Sequence, residues 1–270
     1  MNFLKFTGCL IITLSALACE AAQTTGAAHA IALKPATQNA VPVSLITSIC
    51  TKLATPCNPQ TTKAWTGAAP LLGNLFLIDA ARPMLIVVRD AQAAHHWDFA
   101  DYAHTRPPSG ADPGEPLEIY PALYPAGDGR YAIALVRRHG EMYSGGGAGF
   151  AYADFVLLNT ADPADSSKPL LYAGMPFSCS KMVRACFFER EYKTSPHCHD
   201  EMSGYLTLQF PARAGGVGWS FTWHQTDWPA HVTKARARHT RTRFTLPSAH
   251  STGDATAVPK NVSFCGGPVS

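Results

Sequence analysis

Five consecutive residues, His197-Cys198-His199-Asp200-Glu201, supply two imidazoles, a sulfur and two carboxylates, the donor types that hold zinc and similar ions. Side chains of an extended chain alternate sides. A strand here therefore points His197, His199 and Glu201 to one face, as a three-ligand metal set, and Cys198 and Asp200 to the other. A second reading needs no ion: Ser195-Pro196 turns the chain, Cys198 enters a disulfide, and the polar groups are solvated or bonded within the loop. We take this second reading as the expectation, with no metal and no cofactor.

Other stretches carry weaker chemistry. The segment from His95 through His96, Trp97, Asp98 and Asp101 to His104 mixes imidazole with carboxylate, the kit for acid–base work, on what reads as a loop that could meet the first run in space. Glycines 145, 146, 147 and 149 follow Ser144 without the lysine and hydroxyl residue of a phosphate loop, and read as a turn between two strands, a flexible loop if exposed. No nucleophile elbow or two-histidine zinc helix occurs. Lys234, Arg236, Arg238, Arg241 and Arg243 make one basic strip. Removing these five and Lys5, expected to leave with a leader, takes the formal charge from +3 to −3, which argues against a chain that coats nucleic acid. The strip reads either as a charged edge strand or as a site for an acidic partner, with Trp219, Trp223 and Trp228 as nearby anchors.

The elements that must position these groups are mostly strands. With 46% hydrophobic and 15% charged residues in 270, the chain can bury a sizeable core. Residues 44–53 are the helix candidate, with Ser44 as cap, Leu45, Ile49 and Leu53 at spacings of four, and Pro56 as the stop. Short β signals follow at 75–78, 84–89, 117–123, 131–137, 150–158, 170–173, 185–191, 204–210, 218–225 and 240–246, with turn chemistry between them. The expected fold is mostly β, an antiparallel sandwich, barrel or meander with one short N-terminal helix, stapled by disulfides. Residues 43–270 read as one β-rich domain, with a sub-boundary possible at the proline- and glycine-rich 107–116.

Lys5, the apolar run from Cys9 to Ala18 and the small residues after it have the order of a secretory signal, residues 1–18. Residues 19–42, rich in Ala and Thr, read as a flexible tether. Leu17-Ala18-Cys19 resembles a lipoprotein box, so Cys19 is the expected lipidation site; cleavage after Ala21 would remove it instead. Either route leaves Cys50, Cys57, Cys179, Cys186, Cys198 and Cys265, an even six suited to three bridges in an oxidising compartment. Cys50 with Cys57 and Cys186 with Cys198 are the leading pairs, leaving Cys179 with Cys265, although Cys179 competes for either partner of the second.

These features together predict an exported periplasmic or envelope protein of inhibitor or immunity type, acting by protein–protein or surface recognition without catalysis. The partner would be another protein, a cell-wall-targeting enzyme being one class that fits, and membrane contact would come through the N-terminal lipid alone. The contact surface is placed on Trp219, Trp223, Trp228, Arg236, Arg238, Arg241 and Arg243. The alternative is a metal-assisted or acid–base hydrolase using the run from His197 to Glu201.

Overall fold

Met84–Arg89 is buried at every position but the last, which requires cover on both of its faces. In the computed structural model, which describes residues 28–37, 40–69, 72–102, 116–127, 129–159, 168–210, 218–246, 258–259 and 261–267, it has that cover. Leu85 and Val87 pack toward a second sheet, together with Ile133, Leu135 and Val156 of that sheet. Met84, Ile86 and Val88 pack against Ile46, Ile49 and Leu53 of a helix and its exit.

The fold is mostly β, with antiparallel pairing throughout the described residues. In chain order the elements are β1 (Ile31–Ala32), β2 (Lys34–Pro35), α1 (Val43–Lys52), β3 (Thr62–Ala69), β4 (Gly73–Asp79), β5 (Met84–Arg89), β6 (Gln92–Asp98), β7 (Glu118–Gly127) and β8 (Arg130–Tyr143). They continue with β9 (Gly146–Leu158), β10 (Leu170–Arg184), α2 (Glu189–Thr194), β11 (His199–Gln209), β12 (Trp219–Trp228) and β13 (Arg238–Leu246). β2 to β6 form a five-stranded sheet in sequence order; β1 and β7 to β13 form an eight-stranded one, also in sequence order. Such a meander makes nearly every pairing a hairpin.

The large sheet has two uses for its two faces. Its first strands lie against the small sheet, while Tyr124 of β7 reaches Trp219 of β12, ring centres 6.0 Å apart, so the sheet curls over a second core. Residues 258–259 and 261–267 plug this concavity: Phe264, fully buried, packs on Phe150, Tyr152 and Trp223. Three disulfides join Cys50 to Cys57, Cys186 to Cys198 and Cys179 to Cys265, the last fixing the plug to β10.

Several expectations are corrected. Residues 31–35 are strand rather than tether, because Leu33, 4% exposed, enters the core between the sheets and its flanks pair with β7 and β3. The apolar stretch expected as a strand over 185–191 is instead a connection and α2. The Glu191 carboxylate accepts the backbone N–H groups of Phe187 and Phe188 and so caps that helix, leaving both phenylalanines exposed. Pro42, not Ser44, occupies the cap position of α1. β3 and β6 lack a strong alternating pattern and were not expected. The leader, Cys19 and His104 lie outside the described residues.

Candidate functional site

Strand register assembles a surface that no contiguous stretch of sequence displays. On the outer face of the large sheet, Met142, Gly147, Met182, Glu201 and Trp228 oppose one another in a row across β8 to β12. The next row on the same face is Gly140, Gly149, Ser180, Ser203 and Thr226, all small. Beyond it Tyr205 stacks on His224, centres 4.8 Å apart and ring planes nearly parallel. The result is a trough: a ridge of Met142, Met182, Glu201 and Trp228, and a floor of glycine, serine and threonine. It encloses about 630 Å³, with Lys234 at its Trp228 end. Five strands at ~4.8 Å spacing give a length of ~19 Å.

The sequence dictates this shape locally. The β8–β9 turn is only Ser144-Gly145, with Gly145 at φ 98°, so Gly146 to Gly149 belong to β9 rather than to the flexible loop expected. A side chain on Gly146 would collide with the Met182 carbonyl, and the Tyr143 hydroxyl donates to that same oxygen at 3.2 Å. Glycine is thus what allows the start of β9 to approach the end of β10, next to the ridge. Met142 is 89% exposed and Met182 44%, unusual for large apolar groups on a sheet face. Phe187, Phe188 and Tyr192 extend the exposed apolar corner, and the Arg184 guanidinium lies 5.1 Å over Phe187.

The histidine run stands beside the ridge. His197, His199 and Glu201 share one face, as period two requires, with their ligand atoms within 4.8 Å of one another; this is the one such cluster among the described residues. The His197 ring lies flat on Trp228 at 3.5 Å. Its carbonyl accepts from the His231 N–H at 2.9 Å, and the Trp228 indole N–H donates to the Val232 carbonyl at 3.0 Å, so the loop after β12 fixes the stack. Cys198 points away into its bridge with Cys186, and Asp200 accepts the Ala230 N–H.

The contact surface placed on the tryptophans is corrected in part. Trp219 and Trp223 are 4% and 1% exposed and belong to the inner core, because the face of β12 that they share with Phe221 is the concave one. Trp228 points outward, into the trough. Arg236, Arg238, Arg241 and Arg243 are exposed, the last three on β13, the terminal strand of the large sheet. Arg238 is engaged: it binds the buried Asp227 at 2.6 Å, and Asp227 accepts from Gln225 as well. His95 and His96 are on β6 in the small sheet, where burial and Arg89 hold the His95 imidazole below its ordinary pKa; they do not join the His197 cluster. Sequence reasoning missed Ser180, Ser203 and Thr226, which signal nothing singly and matter only as a row. No protein-family model, curated protein or solved structure matches this chain.

Proposed function

We propose that the protein is an exported envelope protein of inhibitor or immunity type that acts by recognising another protein, without catalysis of its own, through the trough and the exposed apolar corner beside it. The observation that carries this reading is the exposed pair Met142 and Met182, set in one row with Glu201 and Trp228 on the outer face of the large sheet, where folded proteins seldom leave large apolar groups uncovered without a partner. Lys234 lines the Trp228 end of the trough, and the exposed Arg236, Arg241 and Arg243 follow on the chain that leads into and along β13, which favours an acidic partner offering an extended segment to the floor. The three disulfides support residence in an oxidising compartment, and no helix among the described residues is long and apolar enough to cross a membrane.

Envelope extracts passed over the immobilised mature chain should yield one protein in stoichiometric amount. Ser180→Arg with Ser203→Arg, which fills the floor with two exposed side chains, should lose it at unchanged thermal midpoint. Equal capture by both forms would end the assignment. The proposed anchor is separable: Cys19→Ala should move the chain from the membrane to the soluble fraction, and an intact mass without acyl addition would remove the lipid from the account.

A further inference from the structure

We propose that His197, His199 and Glu201 form a binding site for a divalent transition ion of the zinc class, independently of whether the trough takes a protein partner. Three observations meet here. The donor atoms of the three side chains lie within 4.8 Å of one another. The His197 side chain is only 9% exposed, and its Nε2 is buried with no hydrogen-bond partner, a condition that folded proteins rarely tolerate. That nitrogen faces Glu201 Oε1 at 3.6 Å, too long for a hydrogen bond. Two donors each ~2.0 to 2.1 Å from a tetrahedral ion sit ~3.3 Å apart, so a small closure of the pair seats one.

The surroundings fix these ligands in advance of any ion. The Trp228 ring holds the His197 imidazole in plane, the loop after β12 holds the His197 carbonyl, and the Cys186–Cys198 bridge pins the backbone between the two histidines. That bridge also removes the thiolate that a soft-metal site would use. Two imidazoles and one carboxylate suit zinc and its neighbours over magnesium or calcium, which take oxygen shells. Three protein donors leave a position for water or for a donor atom of whatever lies in the trough, since Glu201 belongs to both sites.

An ion pair between His197 and Glu201 alone would account for the 3.6 Å approach without involving His199, so His199 decides between the two. The disulfide-intact chain, free of any affinity tag, is titrated calorimetrically at pH 7 with ZnCl2 and separately with MgCl2, and with CoCl2 while visible absorption is followed. One zinc ion should bind per chain, magnesium should give no heat, and cobalt should show ligand-field bands. His199→Ala and Glu201→Gln should each weaken zinc by ~100-fold or more, given that losses in the outer shell alone reach ~10- to 100-fold. Glu201→Gln is nearly isosteric and its side chain is 41% exposed, which makes it the variant least able to disturb folding. His96→Ala, in the other sheet, should change nothing. Absence of stoichiometric zinc in the wild type, equal affinity for magnesium, or undiminished zinc binding by both His199→Ala and Glu201→Gln would overturn the site. None of these outcomes bears on whether the trough captures a partner.

Discussion

Replacing Cys179 and Cys265 together by alanine tests whether the C-terminal plug is held by its covalent tie or by its packing. The bridge spans 86 residues, against 7 for Cys50–Cys57 and 12 for Cys186–Cys198. In the chain-entropy description these separations correspond to about 4.6, about 2.4 and about 2.8 kcal/mol at room temperature. The long bridge is therefore the dominant staple by a factor of about two. Both sulfurs are also buried, Cys265 completely, so the double variant loses packing as well as the crosslink. With a urea slope of ~2 to 3 kcal/mol/M, the midpoint should fall by ~1.5 to 2.3 M, and by about half as much for Cys50→Ala with Cys57→Ala. Because Phe264 packs on Trp223, release of the plug should also expose Trp223 and red-shift its emission before the main transition. A midpoint shift no larger than that of the Cys50–Cys57 variant, with unchanged emission, would show that the aromatic contacts of Phe264 hold the plug unaided and would refute the reasoning.

The other predictions are more local. Gly204→Ala should destabilise by ~1 to 3 kcal/mol in urea titrations, because the added methyl overlaps the Trp223 ring and comes within 3.0 Å of Cys179 Sγ. Arg82→Gln should lower stability at neutral pH and lose its effect in acid. Burial opposes ionisation of Asp98, but hydrogen bonds from Arg82 and the Ala100 N–H hold its carboxyl below the usual range. A depressed carboxyl contributes above its unfolded pKa of ~3.9 and loses that contribution as pH falls through the folded value; a wild-type to variant difference that persists undiminished below that window would contradict this. Arg236, Arg241 and Arg243 replaced together by alanine should change stability by less than ~0.5 kcal/mol while slowing partner association and flattening its salt dependence. Arg238→Ala should instead cost ~1 kcal/mol or more, because it strips the buried Asp227 of its cation; equal stability of the triple and single variants would deny the distinction.

Much of the architecture was legible because it is local. The Leu45, Ile49 and Leu53 spacing marked α1 to within a residue at each end, and Met84–Arg89 announced a strand by its unbroken apolar run. Parity and sequence proximity favoured the pairs that form, Cys50 with Cys57 above all, but Cys179 remained a competitor for Cys186 or Cys198, which are joined across α2 rather than across the hairpin turn expected. Period two also put His197, His199 and Glu201 on one face, because alternation is a property of the extended backbone itself.

Tertiary structure decided everything that depends on which face is covered and on what lies beside what. Alternation placed Trp219, Phe221 and Trp223 together but could not say whether their face was concave and buried or open to a partner; the curl of the large sheet chose burial, and left Trp228 outside. Leu33 sits in a stretch of tether-like composition and is ordered only because a core between two sheets receives it. Phe187 and Phe188 carry strand-like chemistry, yet a neighbouring bridge and the Glu191 cap spend that segment on a short helix. The trough is the clearest case: Gly149, Ser180, Ser203 and Thr226, one from each of four successive strands, become one floor through inter-strand register, and register is set by side-chain packing across the whole sheet rather than by any residue's own preference.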